Sequence, residues 1–174
     1  MNKIDEILVY LYDCVDYSFS YRMKKGLWIS KYFDHCNSKN IKNEIRGLNK
    51  QKLIQKKQNY DGSIIVSLTE KGKLRALNIS FRNFQNKKEK WDGKWRMIAF
   101  DVPDEYKKGR DAIRYRMKLG GFYRLQESLF LFPYDCQREI NALVKLFKLE
   151  KYVRFGLLDF IDNEEQIKSI FKIN

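Results

Sequence analysis

The stretch "WRMIAFDVPDE", residues 95–105, runs a mostly apolar segment into one acid, Asp101, and then a proline. The apolar run reads as a strand over 95–101, and Pro103 suits a helix start. Working outward, residues 104–118 carry helical spacing. Tyr106, Ile113 and Met117 face a core there, while Lys107, Arg110, Arg114 and Lys118 form a basic stripe. Gly120-Gly121 end that helix. "FYRLQES" (122–128) and "LFLFPYD" (129–135) read as two strands. "CQREINALVKLFKL" (136–149) is a second helix through Ile140, Leu143, Val144 and Phe147, "YVRFGLLDFI" (152–161) a last strand, and "NEEQIKSIFKIN" (163–174) a short closing helix.

The order β-α-β-β-α-β is that of a ferredoxin-like domain, an antiparallel sheet with two helices on one face. Residues 94–174 are assigned to it. Ahead of it, "SFRNFQNKKEKWDG" (80–93) is polar, charged and poorly periodic, and reads as a linker, with Phe81 and Phe84 available to be pinned to a domain.

Residues 1–79 have a different rhythm. Ile4, Ile7, Leu8, Leu11 and Val15 give a first helix with one apolar stripe. "LWISKYF" (27–33) is expected as a short second helix, and "DHCNS" (34–38) as a turn in which Asn37 or Ser38 caps the next helix. In "KNIKNEIRGLNKQKLI", Ile41, Ile45 and Leu48 share one face, and Lys39, Lys42, Asn43, Arg46, Asn49 and Lys50 fall on the other. Arg and Lys pair with guanine edges or phosphates, and Asn with adenine, so such a face fits a DNA major groove. Any solvated helix face is also polar. The segment after the helix favours the DNA reading. "IQKKQ" (54–58) and "SIIVSL" (63–68) are strands joined by "NYDG", with Lys56 and Lys57 near the tip, and "LTEKGKLRAL" opens a helix capped by Thr69. Helix, helix, turn, basic helix and hairpin is the order of a winged helix-turn-helix. The pieces "GLNKQKLIQ" and "LTEKGK" are similar to those of winged-helix regulators. The overall expectation is an α+β chain of two domains.

The net charge is +13, with 19 Lys/Arg against 9 Asp/Glu in residues 1–90 and 16 against 13 in residues 91–174. An anionic partner is expected, bound mainly by the first half, and double-stranded DNA suits it better than a membrane surface. No apolar run approaches the roughly 20 residues of a membrane span, and "MNKIDEILVYLYDC" has acids where a signal peptide has none. The expected location is cytoplasmic. Cys14, Cys36 and Cys136 are odd in number and lack a CxxC pair, which speaks against disulfides. The lone histidine, His35, makes histidine-based catalysis and a zinc site improbable.

The segment "WDGKWRMIAFDVPDEYKKGRDAIRYRMKLGGFYRLQESLFLFPYD" (91–135) closely resembles the central domain of PaaX-type transcriptional repressors, which control phenylacetic-acid degradation. The motifs are WDGKWR (91–96), FDVP (100–103) and GFYRLQESLF (121–130). That domain is itself similar to the small ferredoxin-like CRISPR-associated endonuclease of spacer acquisition. PaaX proteins place a winged helix ahead of it, and usually a further C-terminal domain that this sequence is not expected to contain. The resemblance implies a DNA-binding regulator, a repressor by family habit, acting as a homodimer; "LFLF" (129–132) is either part of the dimer contact or ordinary core. No cofactor is expected, and the effector, operator and regulated genes are not legible.

In the endonuclease family an aspartate ends the first strand, and two copies meet across a dimer axis to hold a divalent metal. Asp101 matches that position, so magnesium between paired Asp101 carboxylates, with cleavage of RNA or DNA, is the alternative. The plainer reading is that Asp101 caps the helix or pairs with an arginine such as Arg110.

Overall fold

A computed structural model describes residues 3–14, 18–21, 23–24, 27–28, 38–60, 62–86 and 89–173. The chain is α+β with antiparallel sheets. It divides into two compact units, Met1–Ile79 and Ser80–Asn174.

In the first unit, helix α1 (Lys3–Asp13) buries Ile7, Leu8 and Leu11, as its apolar spacing requires. A three-stranded antiparallel sheet runs in the order β1 (Ser18–Tyr21), β5 (Ile64–Leu68), β4 (Ile54–Gln58). The helix expected over 27–33 is corrected at its start. Leu27–Trp28 is a strand, β3, paired with β2 (Met23–Lys24), so backbone pairing outweighs local helical spacing there. Residues 29–33, the turn at 34–37 and the proposed cap Asn37 lie outside the described residues, as does Cys36. Helix α2 (Ser38–Lys50) buries Ile45 and Leu48 on the face the spacing predicts.

The exit from α2 is knotted to the start of α3 (Glu70–Phe84). Leu53 N–H donates to Leu48 O (3.0 Å) and Thr69 N–H donates to Leu53 O (3.0 Å). The Thr69 hydroxyl donates to Lys52 O at 2.8 Å and accepts the Gly72 N–H at 3.1 Å. Thr69 therefore caps α3 as its sequence position suggests. Gly72 is required for packing rather than for its backbone angles. A Cβ there would sit 2.0 Å from Leu53 O.

In the second unit the order is β6 (Trp95–Phe100), a 3-10 turn (Asp104–Tyr106), α4 (Lys107–Leu119), β7 (Tyr123–Gln126), β8 (Leu129–Phe132), α5 (Gln137–Leu146), β9 (Val153–Leu158) and α6 (Glu164–Phe171). The sheet order is β7-β8-β6-β9, all antiparallel. Residues 80–84, expected at the start of the linker, are helical, and Phe81 and Phe84 are buried against Phe122 and Phe132. The "LFLF" strand is interior: Phe130, Leu131 and Phe132 are all buried, so it gives no support to a dimer contact. Tyr106, expected towards the core, is 38% exposed, its ring 5.3 Å from that of Tyr152.

The two sheet faces differ. Ile98 and Phe100 point to the α4 side, where Arg114 lies over the Phe100 ring at 6.0 Å. The other face carries Trp95 and Leu131, packed with Ile161 and with Ile167 and Phe171 of α6. Trp95 Nε1 donates to Glu164 Oε1 at 2.9 Å, pinning α6 there.

The WDGKWR motif is a clamp. Asp92 accepts the Lys94 N–H at 3.1 Å, Gly93 turns the chain with φ +79°, and Trp91 Nε1 donates to Lys94 O at 3.0 Å. Buried Arg96 then forks onto both Asp92 oxygens (2.6 and 2.7 Å) and donates to Pro133 O at 2.8 Å. Hydrogen bonding from Arg96 holds the Asp92 carboxyl at about 2, below its ordinary 3.8.

These contacts set two expected outcomes. Gly72→Ala should destabilise the chain by about 3 kcal/mol, because backbone lies where the methyl would go; urea unfolding followed by circular dichroism measures it. Because Asp92 has a depressed folded-state pKa, its contribution is complete above pH 3.8 and disappears as the pH falls towards 2. Solvent screening at half-exposed Asp92 limits that loss to about 1 kcal/mol. Asp92→Asn should flatten this part of the acid-unfolding profile, followed by tryptophan fluorescence; an unchanged profile would rule the clamp out as its source.

Candidate nucleic-acid interface

Helix α2 and the β4–β5 hairpin hold the basic residues that the sequence singles out. Because Ile45 and Leu48 are drawn into the core, Asn43, Arg46, Asn49 and Lys50 are turned outward and exposed. Lys39 and Lys42 belong to the same helix, but their side chains lie outside the described residues. The structure thus brings four of the six α2 candidates to one exposed surface.

Lys56 and Lys57 are both exposed, but they do not act from one side. Lys56 lies opposite buried Val66, and Lys57 opposite Ile65. Successive strand residues point to opposite faces, so the two lysines leave opposite faces of the hairpin. The alternation is legible in "IQKKQ" once the strand is accepted.

In the second unit, much of the basic stripe on α4 is already engaged. Arg110 donates to Asp104 Oδ1 at 2.8 Å and Val102 O at 3.0 Å, and Arg114 to Glu127 Oε1 at 3.1 Å. This corrects the plainer reading of Asp101: Arg110 goes to Asp104, and neither the 3-10 turn nor α4 has a side-chain cap. Asp101 lies just beyond β6, is exposed, and its backbone N–H donates to Tyr152 O at 2.9 Å. Its carboxylate makes no hydrogen bond or ion pair among the described residues.

Asp101 lines an open groove of about 670 Å³ with Gln126, Glu127, Lys151, Tyr152 and Arg154. Sequence reasoning missed Arg154. Its only signal was a charged residue breaking an apolar strand. The guanidinium is held by the carbonyls of Lys151 (3.0 Å) and Val153 (3.1 Å). Among the described residues no group of three or more His, Cys, Asp or Glu side chains is placed to hold a metal. One chain supplies one Asp101 carboxylate to this groove.

Residues 88–169 match the family model of the PaaX protein central Cas2-like domain. The match shows what this segment is similar to. It falls wholly within the second unit and leaves the α2 surface untouched. No curated protein matches the chain. Among the described residues, no helix is long and apolar enough to cross a membrane.

An exposed carboxylate with no hydrogen bond or ion pair among the described residues carries little stability. Asp101→Ala should therefore shift the unfolding free energy by no more than about 0.5 kcal/mol in either direction. Thermal denaturation checks this, and a loss several times larger would return Asp101 to a structural role.

Proposed function

We propose that the chain is a PaaX-like DNA-binding transcriptional regulator, a repressor, acting in the cytoplasm as a homodimer on double-stranded DNA. In this reading residues 1–79 are a winged helix-turn-helix, and the second unit is a ferredoxin-like domain that dimerises. The β7-β8-β6-β9 order and the family match support the second assignment. The observation that carries the function is the outward face of α2, where Asn43, Arg46, Asn49 and Lys50 stand exposed beside a lysine-bearing hairpin.

On this reading α2 enters the major groove. Arg46 takes a guanine edge and Asn43 or Asn49 an adenine edge, while Lys50 neutralises phosphate, with Lys39 and Lys42 added from the same helix. The hairpin lysines, Lys56 and Lys57, meet the backbone. Dimerisation would set two recognition helices on a repeated or palindromic site. Light scattering that gives a monomer at micromolar concentration would remove the dimer from the proposal.

The test is fluorescence anisotropy on DNA from upstream of the protein's own gene against scrambled DNA, across a salt series. Preference for the upstream fragment should persist while affinity falls with salt. Arg46→Ala should cost about 1–3 kcal/mol on the preferred site, and Lys50→Ala should lower the salt slope by about 1. Equal, steeply salt-dependent binding to both DNAs would reduce the chain to a polyanion binder. Magnesium-dependent cleavage of DNA or RNA that Asp101→Ala abolishes would replace the regulator with a nuclease.

A further inference from the structure

Helix α6 covers one end of the sheet face that carries Trp95. Alternate strand residues share a face, so along β6 that face shows Trp95, Met97 and Ala99. Trp95 packs with Ile161, Ile167 and Phe171. Ala99, the smallest of the three, lies at the other end. It stands directly between Leu129 of β8 and Arg154 of β9 in the strand register. The row Leu129, Ala99, Arg154 is thus the floor of the open groove of about 670 Å³, which Asp101, Lys151 and Tyr152 also line.

The charged groups of this groove are set in place but not matched to one another. Arg154 Nη1 donates to the carbonyls of Glu150 (3.3 Å), Lys151 (3.0 Å) and Val153 (3.1 Å). Those bonds hold one nitrogen, and Nε and Nη2 bond to nothing among the described residues. The edge of the guanidinium that they form suits a carboxylate. Asp101 is fixed through its backbone, because its N–H donates to Tyr152 O at 2.9 Å and the adjoining Val102 is buried. Neither the Asp101 carboxylate nor the Lys151 ammonium has a hydrogen bond or ion pair among the described residues. Glu127, the other acid of the groove, is taken by Arg114 at 3.1 Å. One negative and two positive groups are left uncommitted. Positions 101 and 154 are diagonal across the β6–β9 ladder, roughly 7–8 Å apart, yet they do not pair.

We infer that this groove binds a free acidic amino acid, glutamate or aspartate. Such a ligand carries one ammonium and two carboxylates, the inverse of the uncommitted charges of the groove. The ammonium meets Asp101, the α-carboxylate takes the open edge of Arg154, and the side-chain carboxylate meets Lys151. The hollow over Ala99 receives the carbon chain. A dicarboxylate without the ammonium would satisfy both bases and set a like charge against Asp101, and a polyanion would meet the same repulsion. Because backbone bonds already fix the Arg154 head and the Asp101 main chain, little ordering is left to be done on binding. The inference goes beyond the DNA-binding reading and does not depend on it, since the groove is built from the second unit alone.

The test is isothermal titration calorimetry of the full chain at neutral pH with L-glutamate, L-aspartate, glutarate and L-glutamine. Glutarate keeps both carboxylates and lacks the ammonium, whereas glutamine keeps the ammonium and loses one carboxylate. Wild type should bind L-glutamate or L-aspartate saturably, and the better of the two about tenfold more tightly than glutarate or glutamine. Asp101→Asn should erase the preference over glutarate, and Lys151→Met the preference over glutamine. Arg154→Gln should weaken glutamate and glutamine alike, by about tenfold. Asp101 and Lys151 are exposed, so their variants should unfold as wild type does, and thermal denaturation checks all three. No saturable binding of either amino acid at millimolar concentration, glutarate binding as tight as that of glutamate, or a preference that survives Asp101→Asn would each overturn the inference and leave the regulator reading intact. Binding that appears only with added magnesium would also overturn it, because Asp101 would then be holding the metal.

Discussion

The carbonyl of Leu53 takes the Thr69 N–H at 3.0 Å, and Gly72 passes over it where a methyl group would fall 2.0 Å away. Three elements are fixed at that point: the end of α2, the base of the hairpin and the first turn of α3. A buried backbone carbonyl must be paired, and here the pairing also sets the geometry. The Thr69 hydroxyl extends the knot by bonding Lys52 O and the Gly72 N–H. Arg75 ties the far side, donating to Gln51 Oε1 at 3.0 Å and to Asp5 Oδ1 at 3.3 Å. The exposed face of α2 and the hairpin therefore belong to one framework, and a partner that meets both meets a preset spacing.

The second unit spends its charge differently. Arg96 is buried, and a buried guanidinium is costly unless it is paired and hydrogen-bonded. Asp92 and Pro133 O take the donors of its two terminal nitrogens and so join the strand start to the end of β8. Arg116, also buried, has a poorer arrangement: a bond to Ala112 O at 3.0 Å and the Phe147 ring at 5.9 Å, with burial lowering its pKa. Arg110 and Arg114 are held by Asp104 and Glu127. The +13 charge is thus not one uniform field. Much of the arginine in this unit supports structure, whereas Arg46, Lys50, Lys56 and Lys57 of the first unit stand exposed.

Much of the secondary structure was legible. The strands 54–58 and 95–100, the helix through Ile140, Leu143 and Val144, and the cap at Thr69 arise from periodicity and side-chain chemistry that act within a few residues. Leu27 and Trp28 were misread, because two-residue pairing with Met23 and Lys24 leaves no periodic signal. Residues 80–84 looked like linker because their polar neighbours mask two phenylalanines. Phe122 and Phe132, about 40 or more positions away, decide their place. Tyr106 kept helical spacing yet faces outward, since a 3-10 turn precedes α4 and shifts the register.

The candidate interface divides in the same way. By itself the sequence determined which residues are basic, which face of α2 is apolar and that a hairpin comes next, because these depend on composition and on local period. Only the tertiary structure decided that Lys56 and Lys57 face apart, that Arg110 belongs to Asp104 and that Asp101 has no hydrogen bond or ion pair among the described residues. Each of those depends on which side chains reach one another across distant segments, and folding sets that through long-range pairing and burial.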